Sequence, residues 1–420
     1  MHHLSIDIET YSPEPIAKTG LYKYAQHPDF KILLFGYSLD GEPPIVIDMT
    51  QPGAALDYQL VQMLLDPNVQ KHAYNAAFEW YCISRHFKAD DQWTASWLPQ
   101  WRCTMLQGQY CGYPAGLDTV GKALGLPTDK QKLTTGKALI KYFCTPCKPT
   151  KANGGRTRNL PQHDPAKWEL FIDYNRQDVV TEMEVARRFA SFPVPDAVQK
   201  QWELDQLINL RGVAVDLPLV DGALWCGQQA RDEAIAEATQ ISGLDNPNSV
   251  AQLTEWLQRE TGEELGDLRK DTVKDLLDRG VSSEAATRML QIRQELGKTS
   301  TKKYDAIETC VCADGRVRGL LAFYGANRTG REAGRLVQVQ NLPHDTVSPE
   351  GLARELVKAH QLDALRVVYG SVPVTLAALI RTSLVADEGK VFIDADFSAI
   401  EARVIAWLAQ ESWVLDVFRT

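Results

Sequence analysis

Up to about residue 195 the chain alternates short apolar runs of strand type with segments of helical period, and from there to about Cys312 the period is helical almost throughout. That two-part pattern limits the architecture. Strands interleaved with helices bury a mixed sheet between helical layers, and a long helical run must then find its own packing. Strands are expected at 4–8, 31–39, 44–48 and 69–74, with helices at 57–65 and 76–87. Residues 145–165, rich in Pro, Gly, Lys and Asn, predict a loop. A long helix follows over 165–189, ended by Phe192-Pro-Val-Pro195. Only Gly212-Val-Ala-Val-Asp216 interrupts the helical stretch. Beyond Gly315 the pattern is mixed again: strands within 316–325, two helices within 349–384, a strand at 391–395 and a helix from Ser398. The expected boundaries are therefore 1–195, 196–314 and 315–420.

A chain of 420 residues with 44% hydrophobic content can bury two or three cores. No run of 18 apolar residues occurs, which argues against a membrane helix, and Met-His-His-Leu-Ser-Ile lacks the basic and apolar regions of an export signal. Eight cysteines then predict reduced thiols. Cys144-Thr-Pro-Cys147 has the spacing of half a zinc site, but no second close pair with ligand spacing follows it. The net charge of −9 argues against coating nucleic acid by bulk electrostatics. Locally the balance reverses. Residues 130–158 hold eight Lys or Arg and no acid, and residues 288–335 hold ten basic against five acidic side chains. Such stripes suit a phosphate track, and a solvated face has the same composition.

Asp7-Ile-Glu9 closes the first apolar strand. Residues i and i+2 project from one face, so both carboxylates aim at one place. Tyr174 and Asp178, four apart on the long helix, also share a face. Asn75 and Glu79 stand one turn apart where a helix begins. Singly, each pair also fits an ordinary surface: acids at a strand end, a helix-face pair, an N-cap with a first-turn acid. Gathered in one pocket, two like charges about 4 Å apart repel by roughly 4 kcal/mol at an effective dielectric near 20. Divalent cations relieve that repulsion, and oxygen ligands select Mg²⁺ or Mn²⁺.

In this order and spacing the three segments resemble the DEDD 3′→5′ exonucleases, in the branch that carries a tyrosine. Asp7 and Glu9 match the first motif, Asn75 to Glu79 the second, and Tyr174 with Asp178 the third, over residues 1–190. The resemblance implies a ribonuclease H-like domain, a mixed sheet flanked by helices, with two Mg²⁺ (or Mn²⁺) ions in the exonuclease site. It implies that Asp7 bridges both ions, that Glu9 and Asp178 hold the first, and that Tyr174 orients the attacking water. Asn75 and Phe78 would meet the single-stranded 3′ end, Phe78 reading either as a stacking platform for the terminal base or as a core aromatic. The second motif usually ends in Asp. Glu79 is the departure here, and its longer side chain still reaches a metal or its water.

Asn327-Arg-Thr-Gly-Arg331, Gly334-Arg335 and Gln340-Asn-Leu-Pro343 set basic residues beside glycines, where backbone can approach phosphates closely. Asp394-Ala-Asp396-Phe-Ser-Ala-Ile-Glu401 places Asp396 at the tip of an apolar run with a helix opening after it, a place for a metal ligand or for an N-capping Asp. Together these segments look like family A DNA polymerases (the DNA polymerase I family, in its phage-type form). Thr329-Gly-Arg331 and 340–343 match the template–primer motif, and 396–401 resembles motif A. The resemblance implies that Arg328, Thr329, Arg331, Asn341 and Arg381 contact primer–template DNA and that Asp396 binds catalytic metal. Glu401 would crowd the sugar 2′ position and exclude ribonucleotides. It also implies a mostly helical thumb at 196–314, including 246–249 and 298–303, and the start of an α/β palm at 315–420.

Residues 345–376 read as an insertion between the two motifs. No counterpart of the fingers helix or of the second metal-binding Asp follows motif A, and Asp396 alone cannot build a two-metal polymerase site. The expectation is a family A type DNA polymerase of replication or repair, in the cytoplasm of a bacterium or phage-infected host and without a membrane partner. This chain would retain 3′→5′ proofreading exonuclease activity and DNA binding without incorporating nucleotides alone. The alternatives are a stand-alone 3′→5′ exonuclease on DNA or RNA, and a DNA-binding subunit completed by a separately encoded C-terminal polymerase half.

Overall fold

β1 (His2–Tyr11) runs through the middle of a five-stranded mixed sheet. Antiparallel to it lies β2 (Lys31–Leu39), with β3 (Ile45–Asp48) antiparallel beyond, while β4 (Val69–Ala73) and β5 (Trp101–Cys103) follow in parallel on the other side, giving the order β3-β2-β1-β4-β5. This is a computed structural model, and it describes residues 2–131, 135–297, 301–326 and 329–419. Lys132, Lys298, Asn327 and Arg328 lie outside the described residues. The strands expected over 4–8, 31–39, 44–48 and 69–74 are present, the first reaching further at both ends. The three-residue β5 and the helices Ile16–Gln26 and Asp91–Trp97 lie outside the predicted elements, being too short or, at Gly20, too broken to show a clean period.

Local chemistry explains the helix ends. Asp57 accepts from Leu60 N at 2.8 Å and so opens Tyr58–Leu65. The long helix Pro165–Arg188 begins with Asp164 accepting from Lys167 N at 3.1 Å and Pro165 in its first turn, and ends with Arg187 and Arg188 complementing the helix dipole. That helix lies against β1, β2 and β3. Its buried stripe is aromatic at Trp168, Phe171 and Tyr174, polar at Asn175, Asp178 and Glu182, and apolar again at Val185. A polar band on the face of a helix that covers a sheet needs hydrogen-bond partners from the sheet itself.

Past residue 195 the helices Asp196–Arg211 and Leu217–Ser242 follow, with β6 (Val213–Val215) at the predicted interruption, paired antiparallel to β7 (Arg316–Val317). The helices Val250–Thr261, Lys270–Arg279 and Glu284–Leu296 enclose a separate small core, with Trp256, Leu257, Leu276 and Leu290 packed near Ala234 and Ala238. β8 (Leu321–Ala326) and β9 (Arg331–Gly334) form an antiparallel ribbon. Three helices, Glu350–Lys358, Leu362–Tyr369 and Val372–Leu379, stand where two were expected. His360 (φ 55°) and Gly370 (φ 77°) leave helical geometry at the two breaks. No single described helix is long and apolar enough to cross a membrane.

The chain divides into two compact units, Met1–Leu384 and Val385–Thr420, a break inside the 315–420 region. The second unit contains the helices Ile400–Leu408 and Ser412–Val417. The strand expected at 391–395 is not formed: Val391, Phe392 and Ile393 are exposed in irregular chain. The run is strand-like in composition, but a strand also needs a neighbouring backbone for its hydrogen bonds, and no described strand pairs with it.

Asp196–Arg211 is tied to β8 by Asn209, which accepts from Leu321 N at 2.9 Å and donates to Leu321 O at 3.1 Å. One turn earlier Asp205 is buried. Its Oδ2 accepts from Gln206 Nε2 at 2.8 Å and Asn209 Nδ2 at 3.0 Å, while Oδ1 has no hydrogen-bond partner. Burial, reinforced by Glu332 and opposed by Arg335, pushes this carboxyl up to about 7. With the folded value above the unfolded one, the folded state holds the extra proton, and this group's stabilisation fades as pH rises from about 4 through 7. Asp205→Asn is expected to remove that decline, raising Tm by several degrees at pH 8 with little change at pH 5. Thermal melts across that range check it.

Candidate metal centre

Ser5, Asp7 and Glu9 alternate onto one face of β1, and the polar band of the long helix meets them there. Carboxylate oxygens of Asp7, Glu9 and Asp178 all lie within 4.8 Å of one another, with Glu9 and Asp178 buried and Asp7 half-buried. At that separation each ionised pair repels by about 3.5 kcal/mol at an effective dielectric near 20. Three hard oxygen donors on converging elements fit Mg²⁺ or Mn²⁺ and would be stabilised by it. Among the described residues no other group of three or more His, Cys, Asp or Glu converges in this way.

Tyr174 closes the cluster from the helix side. Its ring stacks on Phe171 at a centroid distance of 6.0 Å, and its side chain hydrogen-bonds Asp178. Burial first, then the charges of Asp178, Glu9 and Asp7, raise the phenol far above its ordinary range, so the hydroxyl keeps its proton. Further along the seam the hydroxyls of Thr104 and Ser5 bond the buried Glu182 carboxylate, whose pKa burial raises. Cys144 lies with its Sγ 3.8 Å from Glu9 Oε2, its thiol pushed well up by burial. All eight cysteines are free. Arg158, from the basic loop, stacks over the Tyr11 ring at 3.7 Å.

Glu79 is not among the three residues whose carboxylate oxygens lie within 4.8 Å of one another. It is buried in the first turn of Ala76–His86, where its charge adds to the effect of burial in raising the Cys82 and Cys103 thiols. Asn75 occupies the N-cap position, yet its side chain makes no capping bond. Phe78 is half-buried against Tyr24, and with Asn75, Gln206 and Arg335 it lines a cavity of about 340 Å³.

No family model matches the chain. It is 49% identical over 421 residues to the DNA polymerase of Bacillus phage SP02, an alignment that takes in 100% of this chain and 63% of the relative's length. In sequence the chain is therefore similar to a phage DNA polymerase. Its fold is similar to the POL domain of Pol1 from M. smegmatis, solved in complex with DNA primer-template and dNTP, at a TM-score of 0.50 and 15% identity over 97% of this chain and 59% of that one. The chain thus spans less than two thirds of either protein.

The residues compared above with polymerase motifs lie in both units of the chain. Thr329 and Arg331 are exposed at the β8–β9 ribbon, and Asn341 is exposed with its amide donating to Gln338 Oε1 at 3.2 Å. Arg381 braces the same segment, donating to Pro343 O at 2.7 Å and Leu342 O at 3.0 Å. Asp396 and Glu401 belong to the Val385–Thr420 unit, Asp396 in irregular chain and Glu401 in the first turn of Ile400–Leu408, both exposed.

Sequence reasoning missed Asn175, Glu182 and two glycines, and it read Cys144 only as part of a Cys-x-x-Cys pair and not as a neighbour of Glu9. Asn175 lies inside the Tyr174–Asp178 motif, and Gly36 interrupts an apolar strand, which is a readable sign of close approach. Gly136 had no such signal. A Cβ built there would stand 2.0 Å from Tyr174 Cε2. Gly136→Ala is therefore expected to displace the Tyr174 ring and destabilise the protein by about 1–3 kcal/mol. Gly266→Ala, where nothing lies within 4 Å, is the control. Equal Tm values for the two variants would contradict this packing.

Proposed function

We propose that the chain is the exonuclease-bearing part of a family A type DNA polymerase and hydrolyses DNA from 3′ ends in the presence of Mg²⁺ or Mn²⁺. The observation that carries this reading is the convergence of Asp7, Glu9 and Asp178, with Tyr174 held against them. A central sheet covered by the long helix supports a ribonuclease H-like domain over 1–195, and the phage relative's name supports DNA as the polymer. Asp7, Glu9 and Asp178 would hold the ions. The chemistry a pair of hard divalent cations supplies at such a site is activation of a water and stabilisation of charge on the departing oxygen.

The chain's own residues do the rest. Asp178 bonds the Tyr174 side chain, and burial, with the surrounding negative charge, keeps that phenol a proton donor able to orient the water. Asn75 and Phe78, beside their cavity, would receive the unpaired 3′ end, and the basic 130–158 segment would track its phosphates. Glu79, in the second motif, would act beside the three ligands rather than as one of them.

Asp7→Ala and Glu9→Ala should each reduce Mg²⁺-dependent degradation of single-stranded DNA to background while leaving the fold intact by circular dichroism. Undiminished degradation would remove the assignment. Matched RNA and DNA oligonucleotides separate this reading from a stand-alone RNA nuclease, which faster RNA cleavage would favour.

A second reading concerns the Val385–Thr420 unit. Val391, Ile393, Phe397, Trp407 and Trp413 are all exposed there. So much apolar surface around the motif A match favours a further polymerase segment that covers it, whether joined to this chain or separately encoded. Primer extension is expected only when a polypeptide corresponding to the unaligned part of the phage relative is co-expressed. Robust nucleotide incorporation by the 420-residue chain alone would overturn it.

A further inference from the structure

β2 contains a single glycine, Gly36, and the strand register sets it directly across from Asp7. Its φ lies outside the left-handed region, so the backbone does not demand glycine here. Space does: a Cβ at Gly36 would come 2.5 Å from Asn175 Oδ1 and 3.1 Å from Val179 Cγ2. Through the gap left by the missing side chain, Asn175 reaches from the long helix to β1. Its Nδ2 donates to the Asp7 main-chain oxygen at 3.1 Å and to Asp7 Oδ2 at 2.7 Å. Both acceptors are oxygens, so only the amide nitrogen satisfies them together. Asn175 is fully buried, and the pair of bonds fixes its orientation.

A carboxylate that approaches two other carboxylates without restraint would turn away from them. Tying Oδ2 to Asn175 sets the plane of the Asp7 carboxylate, and tying the Asp7 carbonyl to the same amide keeps that plane in register with the strand. We infer that Asn175 is a positioning residue that aims the Asp7 carboxylate into the metal centre, and that Gly36 is the position that admits it. The inference deepens the nuclease reading and rests on it. Hydrogen-bond partners just outside a ligand set tune metal affinity by about 10–100-fold, because they orient the ligand before the ion arrives.

The test is a Mn²⁺ binding titration by calorimetry without DNA, beside the Mg²⁺ dependence of single-strand degradation. Wild type, Asp7→Ala, Asn175→Ala, Asn175→Asp, Gly36→Ala and the Gly36→Ala/Asn175→Ala double variant are compared, each with its Tm. Asn175→Ala is expected to weaken Mn²⁺ binding and raise the half-activating Mg²⁺ concentration by about tenfold or more. Asn175→Asp keeps the shape but loses the donor, and should weaken binding at least as much. Gly36→Ala should weaken it too, and the double variant should be little worse than Asn175→Ala, because the closest clash has gone with the amide and only the 3.1 Å approach to Val179 Cγ2 remains.

A purely structural Asn175 would lower Tm and leave both metal curves where they are, and that result overturns the inference. Additive losses in the double variant would overturn the part given to Gly36. If Asp7→Ala binds Mn²⁺ as the wild type does, the metal centre itself is wrong and both readings fall. If Asp7→Ala abolishes binding and Asn175→Ala does not, only the positioning role falls.

Discussion

Three carboxylates within 4.8 Å of one another are the least comfortable feature of the molecule, and much of the surrounding structure exists to hold them there. Asp7 and Glu9 cannot move apart, because the alternation of β1 fixes them on one face and pairing with β2 along its length, and with β4 up to Ser5, fixes β1. Asp178 cannot withdraw, because the aromatic residues one and two turns before it anchor the long helix on the sheet. The helix spends its middle turns on Asn175, Asp178 and Glu182 rather than on apolar side chains. It meets that expense with hydrogen bonds drawn from β1 and from Thr104. A seam of this kind is unfavourable when empty and becomes favourable when positive charge enters it.

Much of this was legible in the amino-acid sequence, for identifiable reasons. The strands over 31–39 and 69–74 and the helix over 165–189 declare themselves by period and by Pro and Asp at their ends, signals that need no tertiary context. The three clustered acids were legible because spacing within an element survives any arrangement of elements. What lay beyond reach were contacts between elements. Asn175 and Gly36 are 139 positions apart, and neither has meaning until β1 and β2 pair and the helix descends on them. Glu79 shows the converse: its spacing from Asn75 is right for the motif, but the cluster of three forms without it.

The run at 391–395 failed as a predicted strand for another reason. Its composition is that of a buried strand, and local propensity has no means of knowing whether a neighbouring strand is on offer. Glu401 and Ile405, in the helix that follows, keep their expected positions because a helix satisfies its own backbone. Within one short unit, the self-sufficient element forms where the sequence puts it and the dependent element does not.

The separate core of Trp256, Leu257, Leu276 and Leu290 shares none of its residues with the apolar cluster around β1. Cooperative units of a protein open independently when few contacts join them. Fluctuations that expose the amides of Val250–Thr261 and Lys270–Arg279 need not reach the centre of the sheet. The carboxylate cluster is thus carried by a core distinct from the helical one.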